Sequence, residues 1–318
     1  MHILITGVAG FVGFNFANEL IKKKFKVIGI DNLNNYYSKK LKLERIKILN
    51  RNKNFQFFKI DLINKSKIKK IFQKFRFYEV YNFAAQAGVR YSIKNPCAYI
   101  DTNVSGFTNI IGLSNEFSVK KFYYASSSSV YGNCKKYPIN EKQKLNPINI
   151  YGLSKKFNEE IARNFYDMYN FKSIGLRFFT VFGEWGRPDM FILKFLDSSF
   201  NSKKFILNNN GKHFRDFTYI GDVVHILMKL RELKIIGPEI FNICSNKPIS
   251  LKKIISFYRD KIPNTKIIIG KKQKLDVYKT HGDNKKIISK IKKFKFTETK
   301  TSLKNTLYWF KKYHKLIA

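Results

Sequence analysis

Residues Thr6-Gly7-Val8-Ala9-Gly10-Phe11-Val12-Gly13 constrain this chain more than any other stretch. The spacing is G-x-x-G-x-x-G. An apolar segment at 2–6 precedes it, and an apolar-periodic segment at 11–23 follows, so the glycines sit at a strand-to-helix turn. Gly7 permits the tight turn, Gly10 lets the backbone approach a pyrophosphate, and Gly13 lets the helix pack against the strand. Free N–H groups and the positive end of the helix dipole then face the phosphates, with Phe11 and Val12 at the same helix start. The next strand-like segment, 26–30, ends in Asp31, followed by Asn32. A carboxylate there accepts hydrogen bonds from ribose hydroxyls and repels a 2′-phosphate, which predicts NAD as cofactor rather than NADP. The alternative use of Asp31 is to cap a turn.

Strand-like segments at 2–6, 26–30, 55–60, 79–84, 121–126 and 173–178 alternate with helical ones that fit between them, for example at 11–23, 65–75 and 102–117. This alternation predicts an α/β fold, a doubly wound parallel (Rossmann) sheet with ligands at the carboxyl ends of its strands. Asp61, followed by Leu62, ends the third strand and is assigned to the adenine amine; a helix N-cap is the other reading. Ala84 and Ala85 end the fourth strand, where small side chains let a cofactor pass. Residues 1–177 are expected to form the NAD-binding domain, with a return segment near 217–245. Residues 178–318 form a smaller, interleaved, mixed α/β substrate lobe. Its expected helices lie at 190–201, 222–233, 251–261 and 302–313, and a short strand at 266–269.

The 318 residues suit one large domain or two intimate ones. No uncharged apolar stretch reaches the length of a membrane span, and the start MHILITG has no basic leader or apolar h-region, so neither span nor signal peptide is expected. Cys97, Cys134 and Cys244 are too scattered for a disulfide framework or a metal centre, and a reduced, cytoplasmic protein is expected. Against 22 acidic residues stand 61 Lys plus Arg, a formal charge of +39. The lysines are spread along the whole chain and form no separate basic tail. Compositional drift on solvated faces accounts for them, and no nucleic-acid or membrane partner is expected.

The chemistry lies further along. Tyr151 and Lys155 are spaced i, i+4 and share one helix face. An ammonium beside a phenol lowers its pKa and fits it for proton abstraction near neutral pH. Upstream, a strand ends in Ser126-Ser127-Ser128-Ser129-Val130-Tyr131-Gly132, whose hydroxyls can bond a reacting oxygen.

The glycine turn, this serine run and Tyr151 with Lys155 resemble the extended short-chain dehydrogenase/reductase family of NAD-dependent nucleotide-sugar epimerases and dehydratases. Further segments resemble its UDP-glucuronate 4-epimerases: 29–37 (GIDNLNNYY), 84–90 (AAQAGVR), 177–183 (RFFTVFG), 185–190 (WGRPDM) and 215–220 (RDFTYI). The resemblance covers nearly the whole chain. It implies Ser127 as the catalytic hydroxyl beside Tyr151 and Lys155, with a UDP-sugar substrate, a homodimer and a resident NAD. It also implies Ser128, Ser129 and Thr180 as carboxylate donors, Arg187 as a shaper of that pocket, and Arg215 as a diphosphate contact. Arg90 is placed within reach of a substrate anion, and Asp276 lies in a worn version of the second nucleotide-binding segment. Glu184, where the family has proline, and His281 with Gly282 depart from the pattern.

A dTDP-glucose 4,6-dehydratase would need an acidic pair where Ser128 and Ser129 stand. UDP-glucuronate decarboxylation and N-acetylhexosaminuronate 4-epimerisation remain open within the fold. A basic nucleic-acid-binding protein on a retired scaffold is the reading from another class, and the intact Ser127, Tyr151 and Lys155 argue against it.

Overall fold

A computed structural model describes residues 1–271 and 277–317. The strands begin where apolar and β-branched residues cluster, and the helices begin at turn residues. In chain order the first half runs β1 (His2–Thr6), α1 (Phe11–Lys22), β2 (Val27–Asp31), α2 (Lys39–Asn50), β3 (Phe55–Lys59), α3 (Lys65–Lys74) and β4 (Phe77–Asn82). The short helices α4 (Tyr91–Lys94) and α5 (Cys97–Tyr99) follow. A π-helical turn, Ile100–Ser105, then leads into α6 (Gly106–Glu116), β5 (Lys121–Ser127), α7 (Ile150–Tyr169) and β6 (Ser173–Phe178).

These strands form one parallel sheet of order β10-β6-β5-β4-β1-β2-β3, in which β10 (Glu239–Ile243) returns from the second half. One face is buried under α1 and α9 (Ile220–Leu230), with Phe14, Phe16, Val223 and Leu227 fully or nearly fully enclosed. The other is buried under α3, α6 and α7. The remaining elements form a third apolar cluster beneath the site. They are β7 (Thr180–Phe182), α8 (Phe191–Phe200), β8 (Phe205–Asn208), β9 (Phe214–Tyr219), β11 (Pro248–Ser250), α10 (Leu251–Arg259), β12 (Ile267–Gly270) and α12 (Thr299–Tyr313), while α11 (Lys285–Ile291) packs on the first face through Ile287 and Ile291. Strands β11-β9-β7 and β12-β8 make two small sheets there.

The strands agree with the sequence reading to within a residue or two. Helix α2 fills one of the intervals between strands where a helix was expected, and its buried face carries Lys42 and Arg45 beside Leu41, Ile46 and Leu49. Two differences concern helix starts. The helix expected at 102–117 starts as a π turn, where Asn103 leaves the regular ladder to bond its surroundings. Helix 222–233 begins two residues earlier, at Ile220, and ends at Leu230.

Parallel register aligns the strand starts along one edge of the sheet. Lys26, Arg76, Lys120, Lys121 and Lys172 collect there at or just before β2, β4, β5 and β6. Asp31 and Asp61 stand at the opposite, carboxyl edge.

Candidate active site

The glycine turn has the geometry its spacing demands. Gly7 has φ of +68°, and a Cβ on it would lie 2.6 Å from the Ala84 backbone nitrogen. A Cβ on Gly13 would collide with the Gly7 carbonyl. Gly10 is the N-cap of α1 and presents no side chain of its own to the cradle. The turn is therefore a backbone surface open to a large anion, as a dinucleotide pyrophosphate requires.

Asp31 lies at the end of β2 beside this cradle. Its carboxylate accepts from the backbone N–H of Ala9 (3.1 Å) and of Leu33 (2.8 Å). Burial pushes its pKa up, against these bonds and the charges of Lys42 and Arg45. Asp61 accepts from Asn32 Nδ2 (2.8 Å) and from the Ile63 N–H (3.0 Å), so it also serves the local turn. Asp31, Asn32, Asp61 and Leu62 all line one cavity of about 410 Å³, together with the glycine turn, Phe11 and Val12. Ala84 and Ala85 line it as well.

The same cavity receives Ser127, Ser128, Ser129, Tyr151, Lys155 and Thr180. Ser127 is the last residue of β5, and its Oγ accepts from the Ser129 N–H at 3.1 Å, which shapes the turn after the strand. Helix α7 starts at Ile150, where the Asn149 side chain accepts from the Gly152 N–H at 2.8 Å. That cap fixes where the first turn begins and aims Tyr151 at Ser127. The Ser127 hydroxyl stands close enough to Tyr151 to favour its phenolate. Burial raises the Tyr151 pKa, while the Ser127 hydroxyl lowers it. Burial also brings Lys155, 3% exposed, down to about 7. The sequence assigned the acidifying charge to Lys155. The Arg187 guanidinium also lowers the Tyr151 pKa.

Behind the pair lies a closed polar network. Glu159, two helical turns beyond Tyr151, accepts from Ser126 Oγ (2.5 Å) and from Arg177 Nε (2.9 Å) and Nη2 (2.7 Å). Arg177 Nη1 donates to Tyr131 OH at 2.8 Å, and Tyr131 OH donates to Asn242 Oδ1 at 2.6 Å. Strands β5, β6 and β10 are thereby tied to α7.

Among the assigned substrate residues, Arg187 and Arg215 line the cavity. Arg187 forms a two-pronged pair with Asp189 (Nε–Oδ1 3.0 Å, Nη2–Oδ2 2.5 Å), so it has both a loop partner and a place in the site. Arg215 donates to the Phe214 carbonyl at 2.9 Å. Arg90 is exposed and follows Gly88 and Val89, which line the cavity. Asp276 lies outside the described residues. Glu184, an expected departure, accepts from Tyr219 OH at 2.8 Å, and His281 bonds Asn246 Oδ1 at 2.7 Å.

Sequence reasoning missed Lys42, Tyr36 and Asn149, which also line the cavity. Lys42 Nζ donates to Asn34 at its carbonyl (2.7 Å) and Oδ1 (2.8 Å), and burial brings its pKa to about 8. The segment 29–37 could have pointed to Tyr36; Lys42 is one of many lysines and carried no signal of its own.

The model of the GDP-mannose 4,6 dehydratase family matches residues 4–312. Protein CapI of Staphylococcus aureus is 40% identical over 82% of this chain and 84% of its own length. The UDP-glucuronate 4-epimerase of Thermodesulfobacterium geofontis is 36% identical over 99% of this chain and 98% of its own. A crystal structure of the UDP-glucuronic acid 4-epimerase from Bacillus cereus, in complex with UDP-glucuronic acid and NAD, superposes with a TM-score of 0.91. It is 28% identical and covers 98% of this chain and 99% of that one. This chain belongs to the GDP-mannose 4,6 dehydratase family of NAD-dependent nucleotide-sugar epimerases and dehydratases.

Proposed function

We propose that this protein interconverts UDP-glucuronate and UDP-galacturonate by NAD-dependent epimerisation at C4. The observation that carries the reading is the Ser127–Tyr151 pair, set beside the glycine cradle and facing Arg187 with the Ser128, Ser129 and Thr180 hydroxyls. A cation and three hydroxyls suit a sugar carboxylate. An acid pair at 128 and 129, which dehydration would use, is replaced by serines.

When bound, NAD supplies an acceptor for the C4 hydride and a donor for its return. The chain's own residues do the rest. Tyr151 takes the 4-hydroxyl proton, and Ser127 bonds the same oxygen as the carbonyl forms. Lys155 stands one turn along the helix, where it can bond the ribose and hold the proton inventory near pH 7. Asp31 bonds the adenosine ribose. Rotation of the 4-keto sugar presents its other face, and Tyr151 then returns the proton. The 4-keto uronate is a β-keto acid and loses carbon dioxide readily. Ser128, Ser129, Thr180 and Arg187 hold its carboxylate in place against that loss, and Arg215 contacts the diphosphate.

Product analysis by NMR after incubation with UDP-glucuronate tests the reading. UDP-galacturonate is the expected product; UDP-xylose or a pentos-4-ulose would replace epimerisation by decarboxylation. A homodimer through α6 and α7 accompanies the proposal. It is supported by Leu153 and Phe157, spaced i, i+4 and 37% and 46% exposed, with Ile100 beside them. Sedimentation analysis at a monomer mass would remove it.

A further inference from the structure

Arg45 sits on α2, outside the cavity lining, and is fully buried. Its guanidinium reaches three loops at once. Nη1 donates to the Ala9 carbonyl inside the glycine turn (2.6 Å) and to Tyr37 OH (2.8 Å). Nη2 donates to the carbonyls of Trp185 (2.5 Å) and Gly186 (3.1 Å). Arg187 is the next residue. Trp185 holds a left-handed backbone (φ +59°), costly for a bulky residue unless its surroundings compensate. That turn aims two successive carbonyls at one guanidinium. A second tie runs alongside, Asn15 Nδ2 to the Glu184 carbonyl at 3.4 Å. Tyr36, beside Tyr37, donates to Asp189 Oδ2 at 3.0 Å, and Asp189 in turn holds Arg187. The cofactor turn, the 32–38 loop and the 183–190 loop are therefore joined through one buried cation.

We propose that Arg45 is a positioning residue for epimerisation: by tying the Ala9 turn to the Trp185–Gly186 carbonyls it fixes where Arg187 stands over Tyr151 and the sugar. The inference rests on the epimerase reading. Lysine cannot substitute, because its single ammonium centre lacks the fork that spans two loops. Arg187 is the charge that lowers the Tyr151 pKa, so misplacing it leaves a chemical signature that loss of stability does not.

The test compares Arg45→Lys, Arg187→Gln and the double variant, each assayed with its bound NAD quantified. Arg45→Lys is expected to keep NAD and to lower kcat roughly tenfold to a hundredfold, as for a small misplacement of a catalytic group. It should also move the tyrosine limb of the kcat/KM pH profile toward alkaline pH, in the direction Arg187→Gln moves it. The double variant should be no slower than Arg187→Gln alone, since both act through one guanidinium. Calorimetry gives a readout free of turnover: Arg45→Lys weakens binding of UDP-glucuronate and leaves UDP unchanged. Should Arg45→Lys fail to fold, Tyr37→Phe removes one partner of Arg45 and gives a smaller shift of the same sign. An unmoved pH limb in a folded variant overturns the proposal, as do multiplying effects in the double variant or equal weakening of UDP and UDP-glucuronate. If the wild-type protein binds UDP-glucuronate without turning it over, the epimerase reading fails, while the calorimetric contrast still decides the role of Arg45.

Discussion

Two buried arginine–glutamate pairs occupy the two ends of the same sheet. At the carboxyl end, Arg177 and Glu159 meet at 2.7 Å with side chains 5% and 7% exposed. At the amino end, Arg231 and Glu79 meet at 3.0 Å with side chains 14% and 5% exposed, and Tyr81 donates to Glu79. The chemistry is the same, and both pairs join a helix to the sheet. Their neighbours differ. Glu159 bonds Ser126, the residue before Ser127, and lies on the helix that carries Tyr151 and Lys155. Glu79 and Arg231 are surrounded by Tyr81, Phe25 and the basic strand starts. In a parallel sheet all strands present their reactive ends on one edge, so identical pairs acquire different duties from their end of the strand.

The comparison breaks most visibly at Tyr151. Tyr151→Phe should cut turnover about 10³-fold through loss of the general base, with NAD still bound, as single-turnover and cofactor-content assays would read. Next come the pairs themselves. Glu159→Gln and Arg231→Met should each cost about 3–5 kcal/mol of stability in denaturant titrations, since each leaves a buried partner uncompensated. Only Glu159→Gln should also lower kcat per folded molecule, by roughly tenfold, because Ser126 and α7 lose their common anchor. Equal kcat losses from both substitutions would erase the distinction between the two ends.

A smaller effect belongs to pH. Burial alone would raise the Asp189 pKa, but Arg187 and Tyr36 bring it below the usual carboxylate value. A carboxyl with a depressed folded pKa stabilises the protein above its unfolded pKa, near 4, and that stabilisation is lost as pH falls through the folded value. Asp189→Asn should therefore be less stable than wild type at neutral pH, with the gap closing in strong acid. A gap that persists at low pH would mean that Asp189 acts by shape rather than charge. The smallest effect concerns the amino edge. Lys22→Gln with Lys23→Gln, both exposed at the end of α1, should leave turnover within about twofold at moderate salt.

Much of this was legible in the sequence because it is local. The glycine turn, Asp31 at the end of β2 and the i, i+4 pair Tyr151 and Lys155 each depend on a few adjacent residues, and backbone sterics fix their geometry. The role of helix α2 was not legible. Its inward face mixes Lys42 and Arg45 with Leu41, Ile46 and Leu49, and nothing local says what the two cations bond.

The sequence by itself determined the fold, the glycine turn and the i, i+4 spacing of Tyr151 and Lys155, since neighbouring side chains and a few φ values specify them. Tertiary structure alone decided that Arg187 shares the cavity with Tyr151 and what holds that cation. Arg187 is far along the chain from Tyr151, and Arg45 bonds a carbonyl 140 residues away. Such contacts form only when distant loops close together, and burial then sets the charge of each group. Burial lowers the Lys155 pKa, and the pair with Asp189 holds the Arg187 guanidinium in place.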